Sequence, residues 1–298
     1  MRLKTFDPST LTHKEVQNYL HSAITPRPIC FALTIDRNGT VNLSPFSFFN
    51  IMSINPPICV FSVTRRDGDN CVKDTLNNVL EIPECVINVV SYSMVQQTYI
   101  TSGDYPKSVN EFVISGFTAI SSETIRPFRV AESNIQLECK VNNVISLGDA
   151  EGAGNLIIAE INRIHINEDI LDNKGKIDPF KLDTVARCGG DWYCRVNSRS
   201  LFKISKPLEN SGLGIGVDAI PIEVKNSTVL TGNDLGLLGA VKSIPTNDEI
   251  LLFSKSEEIK ALMEGNSSKE DLIIRLHKKA KFFLDNGKVM DAWKVLLM

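Results

Sequence analysis

Histidine is scarce in this chain. Four occur, at positions 13, 21, 165 and 277, and none pairs with another at a metal-ligand interval, which argues against a zinc or iron site. The seven cysteines are scattered and never spaced Cys-x-x-Cys. Cys30, Cys59 and Cys139 sit in apolar runs and read as small buried hydrophobes in a reducing compartment. There is no phosphate-binding P-loop and no Gly-x-Ser-x-Gly nucleophile elbow. Gly212-Leu213-Gly214 starts like a dinucleotide loop, but the third glycine would have to stand where Val217 does. Charge of one sign is lacking too. A net charge of -3 leaves no electrostatic footprint for nucleic acid. No apolar run approaches the length of a bilayer span. Met1 to Pro8 carries a basic flank without a long apolar stretch after it, which predicts a cytoplasmic protein that does not use a membrane.

What is present is a series of short apolar runs divided by turn residues, in a chain that is 43% hydrophobic. Thr12-His13-Lys14-Glu15 has capping-box spacing, and Val16, Tyr19 and Leu20 follow at helical intervals, so residues 1–22 read as an arm with a helix. Pro26 and Pro28 forbid its continuation. Asp36-Arg37-Asn38-Gly39 is a turn joining Phe31–Ile35 to Val41–Leu43 as a hairpin. Strands are expected at Ile58–Val63, Cys85–Val90, Ile135–Ile145 and Leu156–Ile166, with a helix over Val72–Leu80. Many strands and few helices favour a closed or nearly closed β-barrel. After residue 206 the character changes. Glycine and asparagine cluster up to Gly239, then helices are expected near 257–263, 270–284 and 289–297. Capping boxes are read at Ser254–Glu257 and Ser267–Glu270. The chain therefore divides into a barrel domain, 1–206, and a helical extension, 207–298. Apolar positions of that extension, among them Ile259, Leu262, Leu272, Ile273, Leu276, Phe283, Val295 and Leu296, must be buried. The barrel or a partner subunit is the expected cover.

Several segments could carry chemistry. Ser62-Val63-Thr64-Arg65-Arg66-Asp67-Gly68 places two hydroxyls and two guanidiniums after a strand, and Lys73-Asp74-Thr75 opens a helix. These residues suit a phosphate against a helix N-terminus, or else an exposed polar turn with ordinary capping. Ser44-Pro45-Phe46-Ser47-Phe48-Phe49-Asn50 has three aromatics that an exposed edge would not hold uncovered. Thr25-Pro26-Arg27-Pro28 holds Arg27 between two residues that restrict the backbone. Asn88, in the apolar run Val86–Val90, must either satisfy backbone groups or reach a pocket.

In this order, and continued through Asn110-Glu111-Phe112 to Arg187-Cys188-Gly189-Gly190-Asp191-Trp192-Tyr193, the blocks resemble the flavin reductase-like, FMN-binding split-barrel family. The resemblance implies a mainly β fold with α additions, a split β-barrel, ahead of the helical extension. It implies FMN as cofactor, with FAD as the alternative, and NAD(P)H as electron donor. It places the flavin phosphate among Ser62, Thr64, Arg65, Arg66, Lys73, Asp74 and Thr75. It sets the isoalloxazine edge along Ser44, Pro45, Phe46, Ser47 and Asn50. Thr25 and Arg27 would stand beside the flavin, with Arg27 facing its polar edge or the partner subunit, and Tyr193 would lie in the closing segment. Ser102, Tyr105, Asn110 and Glu111 belong to a further block near the flavin or the dimer contact. The flavin carries the chemistry, so no catalytic side chain is expected. A homodimer with flavin near its interface is implied, and an oxygenase or other electron acceptor is an expected partner. The alternative is a non-catalytic FMN-binding electron carrier or flavin store. A flavin-free ligand-binding barrel is a third reading.

Overall fold

The computed structural model describes all residues except Met1, Asp104, 205–213 and 265–267. They form two compact units, Met1–Phe202 and Lys203–Met298. The expected division at 206/207 and residues 212–213 of the glycine-rich segment lie outside the described residues.

In the first unit, helix α1 (His13–Ala23) begins at the expected capping box. Thr12 accepts from the Glu15 N–H, and the Glu15 carboxylate accepts from the Thr12 N–H. Strand β1 (Arg27–Pro28) follows, then the hairpin β2 (Cys30–Ile35) and β3 (Val41–Phe46). Next come β4 (Phe49–Ile54), β5 (Pro57–Thr64), helix α2 (Asp74–Glu81) and β6 (Glu84–Val89). Helices α3 (Val95–Ile100) and α4 (Glu111–Ser115) and the short strands β7 (Ala119–Ile120) and β8 (Arg129–Val130) fill the next stretch. The long strands β9 (Ile135–Ser146) and β10 (Gly154–Ile166) come next, then α5 (Pro179–Leu182), β11 (Val185–Arg187) and β12 (Tyr193–Arg195).

Seven strands make one antiparallel sheet in the order β3-β2-β6-β9-β10-β5-β4. β3 and β4 are therefore its two edges, although they adjoin in sequence. Only Ser47 and Phe48 separate them in sequence, so the sheet curls to bring its edges together, and the Ser62 N–H of β5 donates to the Phe48 carbonyl at 2.9 Å, carrying the β5–β4 pairing into that corner. This is a split barrel. One core, with Cys30, Ala32, Cys59, Phe61, Cys85, Ile87, Cys139 and Ile157, fills it. A second core lies on the other side of β2 and β6, where Phe31, Leu33, Val86 and Val90 meet Met94, Phe112 and Phe117. Because β2 is covered on both sides, every one of its residues is buried, and its sequence shows no polar alternation. A separate three-stranded sheet, β1-β11-β12, pairs Arg27 with Arg187. It draws the two expected ends of the site together.

The second unit is helical: α6 (Ile222–Lys225), α7 (Gly232–Gly239), α8 (Asn247–Ser254), α9 (Glu257–Met263), α10 (Lys269–Asp285) and α11 (Val289–Leu296). The last three match expectation, with Gly287 at φ 71° in the break. Three readings need correction. Part of the glycine-rich stretch is α7, started by a capping box of Thr231 and Asp234. Ser254 cannot cap α9, because it is still inside α8; Ser256 takes that position, but its hydroxyl donates back to the Phe253 carbonyl and does not cap α9. Ser268, rather than Ser267, caps α10 by accepting from the Asp271 N–H; Ser267 is outside the described residues. Ile259, Leu276, Phe283 and Val295 are buried with Leu238 and Trp293 in a core made of this unit's own residues. Among the described residues no helix is long and apolar enough to cross a membrane.

Candidate functional site: a cationic groove on the barrel

A groove of about 550 Å³ runs between α1 and the barrel. Its barrel wall is Pro45, Phe46, Ser47 and Phe48 from the β3–β4 corner, with Ser62 and Thr64 from the end of β5. Arg65, Arg66 and Lys73 close one end. There a smaller pocket of about 60 Å³ continues, lined by Ser44, Arg66, Lys73, Asp74, Thr75 and Glu111 among others. The opposite end opens into a cavity of about 290 Å³ that holds His21, Arg27, Tyr99, Arg187 and Tyr193. Pro45 and Ser102 line all three spaces.

The α2 end is built for an anion. Lys73 is the N-cap of α2, and it makes no side-chain bond to the helix. The first N–H groups of α2 are thus left without a side-chain cap. Among the described residues the Lys73 ammonium has no ion-pair or hydrogen-bond partner. Arg65 is fixed by donating to Asn70 Oδ1 at 2.7 Å and to the Asn70 carbonyl at 2.9 Å. The Thr75 hydroxyl donates to Asn42 Oδ1 at 2.6 Å, and Asn42 Nδ2 donates to Glu111 Oε1 at 3.2 Å. Glu111 is buried, and its Oε2 has no hydrogen-bond partner among the described residues. Burial pushes its carboxyl above the usual range, against hydrogen bonds to its own and neighbouring groups. Free N–H groups, hydroxyls and cations in one pocket fit a phosphate, and the adjoining Pro45–Ser47 wall fits a flat ring.

The other end is cationic for a different reason. Arg27 is buried and acts as a clamp. Its guanidinium donates to the His21 carbonyl, to the Ile24 carbonyl at 2.8 Å and to the Cys188 carbonyl at 3.3 Å. It also reaches Ser47 Oγ at 3.5 Å. It thereby fastens the end of α1 to the β11–β12 turn. Tyr193 accepts from Arg187 at 2.8 Å, and the guanidinium lies 4.8 Å from the ring centroid.

Most of the expected site residues therefore line one groove: Ser44, Pro45, Phe46, Ser47, Ser62, Thr64, Arg65, Arg66, Lys73, Asp74 and Thr75, with Arg27 and Tyr193 at the far end. Three lie outside it. Asn88 is fully buried, donating to the Phe31 carbonyl at 3.1 Å and accepting from the Val130 N–H at 3.0 Å. Its amide ties β8 to β6, so the backbone role holds and the pocket role does not. Asn50 is exposed on edge strand β4 and accepts from the Ile51 N–H. Thr25 is exposed before Pro26. The sequence reading missed the α1 face, where His13, Gln17 and His21 line the groove, and Tyr99 of α3. The available signal for α1 was an apolar stripe, Val16 and Leu20, on a helix that buries no residue. Gly152, at φ 73°, lets the β9–β10 loop approach so closely that a Cβ there would overlap the His13 ring.

Comparison with known proteins agrees with this geometry. The model of the flavin reductase like domain matches residues 22–181, which include the groove's barrel wall and its α2 end. An uncharacterized protein of Halalkalibacterium halodurans is 35% identical over 203 residues, 67% of this chain and 95% of that one. Nitrilotriacetate monooxygenase component B from Bacillus cereus superposes with TM-score 0.63 at 30% identity, over 68% of this chain and 100% of that chain. The 2-nitrobenzoate 2-nitroreductase of Pseudomonas fluorescens does so with TM-score 0.60 at 26% identity, over 70% and 100%. With a family match over more than half its length, set on the same strands that build the groove, this chain belongs to the flavin reductase like domain family.

Proposed function

We propose that this protein binds FMN in the groove and acts as an NAD(P)H-dependent flavin reductase or oxidoreductase. The observation that carries the proposal is the pocket at the uncapped start of α2, with Lys73, Arg66, Thr75 and Ser44 around it and the Pro45–Ser47 wall beside it. Bound flavin would supply the hydride-accepting chemistry. The protein's own part is positional. Lys73 and the α2 N–H groups hold the phosphate, Ser62 and Thr64 offer hydroxyls, and the β3–β4 corner orients the ring. α1 excludes water from one side. The relative named as a monooxygenase component supports an oxygenase or similar acceptor as partner, and the one named as a nitroreductase supports direct reduction of an acceptor. A homodimer belongs to the same proposal. It is supported by the exposed apolar edge of Ile51, Met52 and Ile54 on β4, which a second copy would cover.

Two measurements test the proposal. Protein loaded with FMN and mixed anaerobically with NADH or NADPH should lose the visible flavin absorbance; a flavin that stays oxidised with both would leave only an electron carrier or store. Lys73→Ala should weaken FMN by about tenfold to a hundredfold, from a charged hydrogen bond of roughly 1.5–3 kcal/mol, and leave riboflavin nearly unaffected. Equal losses for both flavins would remove the phosphate from the α2 end.

A further inference from the structure

The far end of the groove holds two guanidiniums, Arg27 and Arg187, with no paired carboxylate among the described residues. Arg27 is 6% exposed, and no carboxylate pairs with it among the described residues. Arg187 stands at the paired position on β11, likewise without a carboxylate partner. Two of its five N–H donors are engaged, one by the Tyr193 hydroxyl and one by the Gly190 carbonyl. His21 lines the same cavity as a polar neighbour and adds no charge of its own. The three are close enough to disturb one another. Burial and then the fields of Arg27 and Arg187 hold the His21 imidazole below its ordinary range, and burial and then Arg187 do the same to Arg27. Among the described residues no Asp or Glu lines the cavity of about 290 Å³ that these side chains share. Nearby Arg195 is different: Asp183 neutralises it through two bonds of 2.7 Å. A buried guanidinium normally has a partner charge, because its desolvation is otherwise uncompensated.

The surroundings specify more than charge. The Tyr99 and Tyr193 rings stand over the opening, 62% and 38% exposed, and Val95 and Ile29 form the apolar floor. The cavity continues past Tyr193 and Arg187 into one of about 360 Å³ flanked by Tyr92. Asp191 lies only in that outer part. Flat aromatic faces beside a planar donor fork match a planar anion, in which a ring stacks and a carboxylate meets the guanidinium side-on.

We propose that Arg187, Arg27 and His21, with Tyr99 and Tyr193, form a second anion subsite, separate from the phosphate pocket at α2, that takes an aromatic carboxylate. Arg187 is the direct ligand, since Arg27 spends its donors on carbonyls and contributes field. The subsite lies on the same groove as the proposed flavin site, but its occupancy does not depend on flavin.

The test is a calorimetric titration of the full chain with sodium benzoate, benzamide and sodium phosphate, each with and without saturating FMN. Benzoate should bind at least tenfold more tightly than benzamide, which keeps the ring, or phosphate, which keeps the charge. FMN should not displace it. Arg187→Gln should weaken benzoate at least tenfold, and Arg187→Lys, which retains charge but loses the fork, should fall between the two. Equal binding of benzamide and benzoate, unchanged binding in Arg187→Gln protein that melts normally, or displacement by FMN or riboflavin would each overturn the subsite. Failure of the protein to take up FMN would defeat the flavin proposal alone, because the flavin-free titration still reports on benzoate.

Discussion

Glu138 is fully buried and yet stays ionised. Burial works against its charge, but the Thr124 hydroxyl, the Glu123 and Thr124 N–H groups and His165 all donate to it, and its carboxyl is lowered from 4.5 to about 2. An unfolded chain would take up that proton near the ordinary value. The stabilisation is therefore complete above about pH 4.5 and is lost as pH falls toward about 2. Urea midpoints should drop steeply over that window in the native protein and more shallowly in Glu138→Gln. At neutral pH the same substitution should cost roughly 3 kcal/mol, the scale of charged hydrogen bonds. A parallel pH dependence in the two proteins would show that Glu138 is not the group responsible. Glu111 shifts in the opposite sense, favouring the folded state at low pH, and its effect fades as pH rises through its raised value. Glu138 did not declare itself in the sequence, because its donors come from other segments; Glu111 stood out only as part of a family block, and its burial against Asn42 was not legible. Asn88 was legible as a buried amide in need of partners; which partners it found depended on β8, a strand of two residues that no pattern announced.

At the level of elements, α1 carries the clearest test. It buries none of its residues, and its beginning is held by the Thr12–Glu15 capping box. Thr12→Ala should cost about 1 kcal/mol, and amide exchange in the first turns of α1 should speed up about fivefold while the barrel strands keep their protection. Unchanged exchange in α1 would show that packing, not capping, sets its stability. The capping box, the β2–β3 hairpin and the long β9 and β10 strands were readable because periodicity and turn chemistry agreed. The stretch from 91 to 134 was not. α3 reads Val-Gln-Gln-Thr-Tyr-Ile, with β-branched residues that do not favour a helix, and it forms where Met94 and Val95 pack into or against the second core. The groove's α1 face was missed for a related reason. A helix seen alone does not reveal what its apolar stripe will face.

As a whole molecule, the chain holds two sets of buried residues with no member in common, one within 29–185 and one within 220–295. A chain ending at Phe202 should accordingly fold by itself, melt in one cooperative transition and keep FMN affinity within about threefold of the full chain, a difference under 1 kcal/mol. An insoluble product, or one lacking the near-ultraviolet signature of fixed aromatic packing, would show that the barrel needs the helical unit. The change of character after residue 206 was visible in the sequence as glycine and asparagine giving way to helical spacing, but the sequence did not show that the helices would cover their own apolar faces.

The barrel interior also contains a set of natural clocks. Cys30, Cys59, Cys85 and Cys139 are each at 0% exposure in its core, Cys71 is on the surface, and Cys188 in the β11–β12 turn and Cys194 in β12 sit partly covered. The helical unit has no cysteine at all. A small alkylating reagent would therefore read three events on one chain. Cys71 marks simple collision, the β11–β12 pair marks loosening at the far end of the groove, and the core four are reached only when the strands separate, at a pace set by the population of the opened barrel. The staggered mass increments of a single labelling time course would then report the opening of the site and the opening of the fold separately, with no engineered probe.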